Sequence, residues 1–446
     1  MIYAVVPLLV ALAVLFRGRR LSTLLLIIAY LSIEGFLKLI SNYNKIVHVG
    51  LDVIVISFAL YLILIAVVEH NAALDELPYT RLILVYCLWI VLQLLNPFSP
   101  GIVQSIATFK VHLTMVPLYF IAATLFRDPR DVLKFAFGLT VIMILPYAMA
   151  LLQYALGPSS VLDLSPRFWS NISYYHEWRP FGTSAMPGGT SVFAYLAVPF
   201  SVALLASPVT RQSMKPICLL SLLLAVGTFV VSGIRQVLLG CLVAVAVMAV
   251  LTMSRRSGRI ALATATLAII GFAGYLGVTT FLRPMANEAV LRDVRSPEIW
   301  RERDVTQRLF TLTSGSTYST ARDNPWPTIV YRASHYPFGA GLGRTGSALG
   351  AFQEQIAADA TSAQVQSDIG WADNFAADEI AEAGIPGLVM IMWLLIGMLV
   401  RSIRLARRAE DPTIMVMASA LAGFYVSILA MSYGSQPLLG NPITAF

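Results

Sequence analysis

HYPFGAGLGR at residues 335–344 and DNFAADEIAEAGIPG at residues 373–387 are two polar stretches in an otherwise apolar chain. A polar segment rich in Ala and Gln separates them, and an apolar run follows the second stretch at once. A polar island of this length inside a compact fold is uncommon unless it carries function. We therefore expect it to cover and complete an active site at the outer membrane surface.

The composition indicates a polytopic membrane protein. Of 446 residues, 57% are hydrophobic and 12% are charged, and the mean hydropathy is +0.74. A soluble domain carries about twice that charged fraction. The net charge of +7 comes mostly from short loops, where it reports topology and not nucleic-acid binding. The three cysteines lie in apolar runs, so neither a disulfide nor a metal site is expected.

Apolar length predicts about twelve membrane-spanning helices. They lie near residues 2–16, 21–40, 50–68, 82–95, 104–126, 132–156, 189–206, 216–232, 236–253, 260–281, 384–400 and 413–432. Basic residues are concentrated in alternate loops, so the positive-inside rule places both termini outside. The basic flank after the first apolar run is on the wrong side for a cleaved signal peptide.

Three regions follow from this topology. Residues 1–281 hold the first ten predicted helices, with an outer loop at 157–188. Residues 282–383 form a large outer loop, in which mixed charges and apolar residues between 288 and 310 predict a helix lying on the surface. Residues 384–446 hold the last two helices and an outward C-terminus.

The outer loop at 157–188 interleaves aromatic residues with an arginine. Trp178 and its aromatic neighbours fit an interfacial belt, in which Trp and Tyr lie at the level of the lipid headgroups. Arg179 lies between Trp178 and a Pro-Phe-Gly turn just above the membrane, where it can hold a phosphate. Gly188 and Gly189 at the next helix start leave bare N–H groups, which also favour an anion.

Arg235 lies between two apolar runs on the outer side, in the sequence SGIRQ at 232–236. A charge so close to membrane depth is costly and usually has a partner. Two interpretations stay open: the side chain snorkels to the interface, or it presents a fixed positive charge to an anionic ligand.

A short helix is predicted before the first polar stretch. It begins near Pro325, includes Arg332 and ends before Pro337. Arg322 lies upstream of this helix and His335 lies near its end.

The first polar stretch ends in alternating glycines and an arginine. Gly341 and Gly343, with Gly339 before them, let the backbone approach a phosphate and point N–H groups at it. A plain turn would show the same pattern. Arg344 follows directly and can grip phosphate in a bidentate manner, which favours the phosphate interpretation.

The second polar stretch groups carboxylates before a membrane helix. On a helix, Asn374, Asp378 and Glu382 share one face at i, i+4, i+8 spacing. Asp373 is either the N-cap of that helix or a member of the carboxylate group. One of the three carboxylates can act as a general base, and Asn374 can contact an acceptor. Gly384 suits the end of the helix, with the next helix following immediately.

Four pieces of the chain, in order, resemble the bacterial superfamily of O-antigen ligases and O-antigen or exopolysaccharide polymerases. They are RPFGT (179–183) with PG (187–188), SGIR (232–235), PFGAGLG (337–343), and DNF (373–375) with EAGIPG (382–387). The resemblance implies an all-α, GT-C-like glycosyltransferase of the bacterial inner membrane with a periplasmic active site. It also implies an inverting transfer from an undecaprenyl-pyrophosphate glycan, without nucleotide sugar, cofactor or metal.

Site roles are expected on this basis. The donor pyrophosphate would be bound by Arg179, Arg235, Arg344, Gly341 and Gly343, and the acceptor or glycan by Trp178, His335, Asn374 and Arg322. Family members often carry His-Asn where this chain has Asp373-Asn374, so the role of the base passes to Asp373, Asp378 or Glu382. The partners implied are the lipid-linked oligosaccharide, membrane lipid and a chain-length regulator, with no nucleic acid.

Three functions remain open. A polymerase is favoured, because the polymerases of the superfamily are more varied and the Asp-for-His departure fits a ligase less well. The alternative within the same class is a ligase that transfers the glycan to lipid A core. A transporter of lipid-linked sugars would need charges near the bilayer midplane. Its candidates are Lys38, His48, Asp52, Lys110 and His112.

Overall fold

A computed structural model describes a helical protein. The described residues are 20–41, 47, 55, 77–113, 116–126, 128–157, 160–164, 179–186, 188–232, 234–252, 325–345 and 374–432. Within these ranges there is no strand, and six helices are long and apolar enough to cross a membrane. The protein is therefore an all-α, multi-pass membrane protein. The spans predicted near 2–16, 50–68 and 260–281 and the surface helix near 288–310 lie outside the described residues or almost wholly so.

The helices follow the apolar runs closely. They are α1 (Arg20–Ile40), α2 (Thr80–Gln93), α3 (Ile102–Leu113), α4 (Val116–Leu125), α5 (Pro129–Leu156), α6 (Ala194–Ala206), α7 (Lys215–Ser232), α8 (Arg235–Thr252), α9 (Trp326–His335), α10 (Phe375–Arg408) and α11 (Pro412–Ser432). Short 3-10 helices at Gly189–Phe193 and Gln212–Met214 precede α6 and α7. Helices α3 and α4 both lie within the span predicted at 104–126, on either side of residues 114–115, which are outside the described residues.

The chain divides into two compact units. Unit 1 comprises Met1–Ile54, Asp128–Ser314 and Arg401–Ser427. Unit 2 comprises Val55–Arg127, Gly315–Val400 and Ile428–Phe446. Each unit therefore joins distant parts of the sequence, and unit 2 brings α2–α4 together with α9 and the first part of α10.

Unit 1 is built around α6, which is buried along nearly its whole length. Helices α5, α7 and α8 pack against it, and α1 packs against α5. Small residues allow close helix packing, as is common in membranes. A side chain at Gly423 of α11 would come within 2.9 Å of the Ala244 carbonyl of α8, and the Ser427 hydroxyl donates to the Gly240 carbonyl at 2.8 Å.

Unit 2 buries an apolar stripe of α2 that also contains polar residues. Ile83, Tyr86, Ile90 and Gln93 are buried and follow the three-to-four residue spacing of one helix face. The face therefore delivers the Tyr86 hydroxyl and the Gln93 amide into the interior of the unit. Cys87 next to this stripe is half-buried, and Cys218 and Cys241 of unit 1 are buried, all as free thiols.

A kink divides α10 at Gly384, where φ is 74° and ψ is −176°. This confirms that one helix ends at Gly384 and the next follows immediately. The second part runs on to Arg408, beyond the predicted end at residue 400. Arginines that were expected in a cytoplasmic loop lie on the last turns of this helix, where positive charge is favourable. They are Arg401, Arg404, Arg407 and Arg408.

Candidate active site

The first polar stretch forms a loop in unit 2 that we call the glycine loop, residues 336–345. It follows α9, whose bounds Trp326–His335 confirm the predicted short helix. Gly339, Gly341 and Gly343 have φ values of 89°, 88° and 94°. Such left-handed values strain any residue with a Cβ. Alternating glycines therefore let this loop follow a path that other residues would resist.

The glycines also permit close contacts with neighbouring backbone. A Cβ on Gly339 would lie 2.6 Å from the carbonyl oxygen of Glu382, and one on Gly341 would lie 2.8 Å from Cα of Ser99. A Cβ on Gly343 would lie 3.1 Å from Cβ of Gln104. The glycines are thus explained by close packing against neighbouring protein atoms. The sequence had suggested a different reason, namely that Gly341 and Gly343 contact a phosphate. That contact stays a prediction.

Polar side chains from α2, the following loop and α3 hold the glycine loop. The Gln93 amide donates to the Phe338 carbonyl at 2.9 Å, and the Asn96 amide donates to the Gly339 carbonyl at 3.0 Å. The Ser105 hydroxyl donates to the Leu342 carbonyl at 3.2 Å. The loop is therefore fixed by neutral hydrogen bonds on the side facing α2 and α3.

Backbone hydrogen bonds tie the same loop to the kink of α10. The Ala340 N–H donates to the Ala381 carbonyl at 2.7 Å, and the Ile385 N–H donates to the Pro337 carbonyl at 2.8 Å. Gly384 leaves the helical conformation between these two bonds, so its kink and the loop form one interlocked structure.

Arg344 is buried at the end of the glycine loop, with 1% of its surface exposed. Its guanidinium donates to the carbonyl of Phe98 through two nitrogens. Arg344 thus has a structural contact within unit 2, and its predicted contact with pyrophosphate stays a prediction.

The first turns of α10 carry three buried carboxylates: Asp378, Glu379 and Glu382, each at most 1% exposed. Asn374 caps the helix, since its side-chain oxygen accepts from the Ala377 N–H at 3.0 Å. The sequence placed Asn374, Asp378 and Glu382 on one face, and the structure buries all three. Glu379, which the sequence analysis did not select, is buried with them.

Asp378 forms a buried ion pair with Arg332 of α9. The Arg332 guanidinium lies 3.0 Å from Oδ1 of Asp378, and neither side chain is exposed. The same guanidinium nitrogen donates to the Ala377 carbonyl at 2.8 Å. A carboxylate held by a guanidinium is a weaker proton acceptor. The geometry therefore favours a structural role for Asp378 over its predicted role as a base.

Glu382 and Glu379 are joined by His112 and Tyr86 in what we call the carboxylate–histidine cluster. His112 Nε2 lies 3.1 Å from Glu382 Oε2, and His112 Nδ1 lies 2.8 Å from the Tyr86 hydroxyl. The Tyr86 hydroxyl lies 3.1 Å from Glu379 Oε1. The Thr345 N–H of the glycine loop donates to Glu382 Oε1 at 3.1 Å. The cluster thus adjoins the end of the loop.

The cluster is buried and contains groups that can exchange protons. The side chains of His112 and Glu382 are 2% and 1% exposed. Carboxylate and imidazole groups are the side chains that most often accept protons in general base catalysis. Among the described residues no group of three or more His, Cys, Asp or Glu side chains is arranged to hold a metal ion.

The sequence analysis missed the partners of Glu382. His112 was selected only as a candidate for transport, while Tyr86 and Glu379 were not selected. A signal existed for Tyr86, because it falls on the apolar stripe of α2 together with Gln93. Glu379 stands three residues before Glu382, a spacing that also brings side chains together on a helix.

The predicted acceptor-binding residue His335 is the last residue of α9. It is exposed, stacks on Tyr331 with ring centroids 4.1 Å apart, and its Nδ1 lies 2.9 Å from the Tyr331 carbonyl. Its contact with a glycan stays a prediction. Asp373, Trp178 and Arg322 lie outside the described residues.

In unit 1, residues 180–186 and 188–190 are joined by a network of neutral hydrogen bonds. The Thr190 hydroxyl donates to the Phe181 carbonyl at 2.7 Å and accepts from the Thr183 N–H at 3.0 Å. The Gln153 side chain of α5 accepts from the Gly182 N–H at 2.6 Å. Phe36 of α1 donates its N–H to the Thr183 carbonyl at 2.7 Å. The turn is therefore anchored to α1 and α5.

The two other predicted phosphate ligands belong to unit 1. Arg179 is half-buried at the start of this turn, and Arg235 begins α8. Gly188, in a left-handed conformation with φ of 73°, precedes the 3-10 helix. Joint contact of Arg179, Arg235 and Arg344 with one pyrophosphate stays a prediction. Of the transporter candidates, Lys38 pairs with Glu34 at 2.7 Å, and His48 and Asp52 lie outside the described residues.

Comparison with known proteins gives no match, either to a protein-family model or to a curated protein.

Proposed function

We propose that the protein is an inverting membrane glycosyltransferase. It transfers a glycan from an undecaprenyl-pyrophosphate donor to a sugar hydroxyl of a lipid-linked acceptor, as an O-antigen or exopolysaccharide polymerase. The observation that carries this proposal is the buried carboxylate–histidine cluster beside the glycine loop. It supplies a proton acceptor next to a fixed turn, in a chain whose motifs resemble those of that superfamily.

Glu382 is the base in this proposal. An inverting transfer needs a group that takes the proton of the acceptor hydroxyl as the new C1–O bond forms. Of the two predicted bases among the described residues, Glu382 adjoins the imidazole of His112, and Asp378 is paired with Arg332. From the resemblance, Arg179, Arg235 and Arg344 are each candidates to stabilise the negative charge that develops on the departing pyrophosphate.

The predicted topology supports an outward-facing site. The glycine loop and the first turns of α10 both fall in the segment 282–383, which was assigned to the outer side from the distribution of basic residues. In unit 2 these two segments contact each other through the Ala340–Ala381 hydrogen bond, and Asn96 in the loop after α2 also bonds to the glycine loop. Segments predicted to share a side of the membrane are thus neighbours.

A second candidate function is proton-coupled transport of a lipid-linked sugar. The specific observation in its favour is His112, which was predicted as a transport residue and is buried against Glu382. Ionisable residues inside membrane proteins often mark proton pathways. A transporter would move the lipid-linked sugar without lengthening it.

The first experiment incubates the purified protein in liposomes with an undecaprenyl-pyrophosphate oligosaccharide, EDTA and no nucleotide sugar. A ladder of lengthened lipid-linked glycans supports a polymerase. Product that forms only after lipid A core is added supports a ligase. Movement of the donor across the bilayer without lengthening supports the transporter and overturns the transferase.

Glu382→Gln tests the base, with Glu410→Gln as the matched control. Glu410 is an exposed carboxylate beyond the end of α10, so its loss changes the charge equally without touching the cluster. We expect Glu382→Gln to lower the transfer rate by about 10²- to 10⁴-fold and Glu410→Gln to leave it unchanged. Full activity of a folded Glu382→Gln protein would show that Glu382 is not the base.

A further inference from the structure

The carboxylate–histidine cluster is a linear chain of three hydrogen bonds. Its members, in order, are Glu379, Tyr86, His112 and Glu382, with heavy-atom separations of 3.1, 2.8 and 3.1 Å. Tyr86 belongs to α2, His112 to α3 and the two carboxylates to α10. Three separate helices therefore contribute to one continuous path.

Counting hydrogens shows that the chain holds an extra proton. Three hydrogen bonds require three hydrogens, while a tyrosine hydroxyl supplies one and a neutral imidazole supplies one. The third hydrogen must lie on Glu379, on Glu382 or on His112 as imidazolium. Leaving a buried acceptor or donor unpaired is costly, so the chain retains this proton.

The chain can be fully bonded in two opposite directions. In one, Glu382 as an acid donates to Nε2, Nδ1–H donates to the Tyr86 oxygen, and the Tyr86 O–H donates to the Glu379 carboxylate. In the other, Glu379 as an acid donates to Tyr86, Tyr86 donates to Nδ1, and Nε2–H donates to the Glu382 carboxylate. The two arrangements differ only in the direction of every bond.

We propose that Glu379, Tyr86, His112 and Glu382 form a proton relay, with Glu379 as its far end. Passage from Glu382 to Glu379 breaks the Glu382 O–H, the Nδ1–H and the Tyr86 O–H bonds. It forms the Nε2–H bond, a new Tyr86 O–H bond and the Glu379 O–H bond. One proton moves from end to end, and the net charge of the cluster does not change.

The ends of the relay differ in their surroundings. Glu382 Oε1 accepts the Thr345 N–H from the glycine loop. Oε2 of Glu379 is buried and accepts no hydrogen bond from any described residue. The Glu379 end thus has an oxygen with free lone pairs, through which a proton can be passed on.

The role of the relay rests on the proposed function. Glu382 takes the proton of the acceptor hydroxyl while Glu379 is an acid. Glu379 then releases its proton through Oε2 to a water molecule, the His112 ring proton moves from Nε2 to Nδ1, and the Tyr86 O–H turns to Glu379, which restores the first arrangement. The relay then moves the new proton from Glu382 to Glu379. Glu382 returns to the carboxylate form and is ready for the next transfer. His112 and Tyr86 are positioning and relay residues that never touch the sugar.

The test compares the tautomer of His112 in two variants of the full-length protein in lipid bilayers. In Glu379→Leu the Tyr86 hydroxyl has only Nδ1 left as an acceptor, so the ring proton moves to Nε2. In Glu382→Leu the partner of Nε2 is gone, so the ring proton moves to Nδ1. Solid-state NMR of ¹³C,¹⁵N-labelled histidine separates protonated from unprotonated ring nitrogens, and a His112→Gln spectrum assigns the signals among the five histidines.

Opposite tautomers in the two variants support the relay, and the same tautomer in both overturns it. If Glu379→Leu does not fold, Tyr86→Phe replaces it, because it removes the same link and predicts the same Nε2-protonated ring. Tyr147→Phe is the matched control, since its hydroxyl is buried and has no partner among the described residues. It should leave the His112 signals unchanged.

The NMR result is obtained without substrate, so it stands apart from the proposed transferase activity. If the two variants show opposite His112 tautomers but the protein never lengthens a glycan, the relay proposal stands and the transferase proposal is overturned. In an active protein, Tyr86→Phe should lower kcat and leave the donor KM unchanged, while Tyr147→Phe changes neither. An unchanged kcat in Tyr86→Phe would overturn the role of the relay in turnover.

Discussion

The tripeptide Pro-Phe-Gly occurs twice in this chain, and its phenylalanine is buried in one copy and exposed in the other. At 180–182 in unit 1, Phe181 is 1% exposed and packs with Leu39 and Leu164. At 337–339 in unit 2, Phe338 is 66% exposed. Both glycines have positive φ, 58° at Gly182 and 89° at Gly339. The shared sequence thus specifies a turn, while its neighbours decide where the aromatic ring goes.

The two turns also differ in the chemistry around them. The unit 1 turn is closed by neutral groups from Thr190, Gln153 and α1. The unit 2 turn adjoins ionisable groups, because Glu382 reaches the Thr345 N–H at the end of the glycine loop. A similar motif is therefore a structural anchor in one unit and part of the candidate site in the other.

The largest expected contrast is between the two phenylalanines. Phe181→Ala removes a buried ring, so we expect it to destabilise the protein by about 3–5 kcal/mol. Phe338→Ala removes an exposed ring and should cost less than about 0.5 kcal/mol. The midpoint of thermal unfolding in detergent checks both. Equal shifts for the two variants would contradict the contrast in burial.

A smaller difference in the loss of stability is expected when two buried threonines, Thr190 and Thr345, are each replaced by valine. The Thr190 hydroxyl makes three hydrogen bonds, whereas Thr345 Oγ1 has no partner among the described residues. Thr190→Val leaves backbone N–H groups unpaired and should cost about 1–3 kcal/mol. Thr345→Val keeps the shape and should leave the unfolding midpoint nearly unchanged. A larger loss at Thr345 would reveal a hydroxyl contact that the described residues do not provide.

The smallest expected changes in stability follow from replacing the two helix caps, Asp128 and Asn374. Asp128 caps α5 by accepting from the Arg130 N–H at 2.8 Å, and Asn374 caps α10 in the same manner. Replacement of either cap by Ala should cost about 1 kcal/mol. Asn374→Ser preserves the cap, so it should keep stability. If glycan transfer is lost in Asn374→Ser while stability is kept, Asn374 contacts the acceptor as predicted.

Local signals predicted much of the fold. Apolar runs located the described helices to within a few residues, except that α10 runs on to Arg408. The prolines and glycines located the ends of α9 and the break at Gly384. These features depend on nearby sequence, where proline and glycine have direct effects on the backbone. The extension of α10 to Arg408 was missed because its last turns are basic, which resembles a loop.

The partners in the candidate site could not be predicted in the same way. Glu382 and Asp378 were selected from their spacing on one helix. Their partners His112 and Arg332 lie on other helices, and no periodicity links residues that far apart in sequence. The packing of α3 and α9 against α10 brings His112 to Glu382 and Arg332 to Asp378. These pairs could therefore be identified only from the structure.

The order of these residues along the chain bears on how the protein is made. Asp378, Glu379 and Glu382 come late, and their partners Tyr86, His112, Arg332 and Thr345 all precede them. A buried charge is costly unless it is paired and hydrogen-bonded. During synthesis, each acidic group therefore emerges from the ribosome after the residues that will bond it. The partners that bind these carboxylates are therefore already synthesised when the carboxylates are added to the chain.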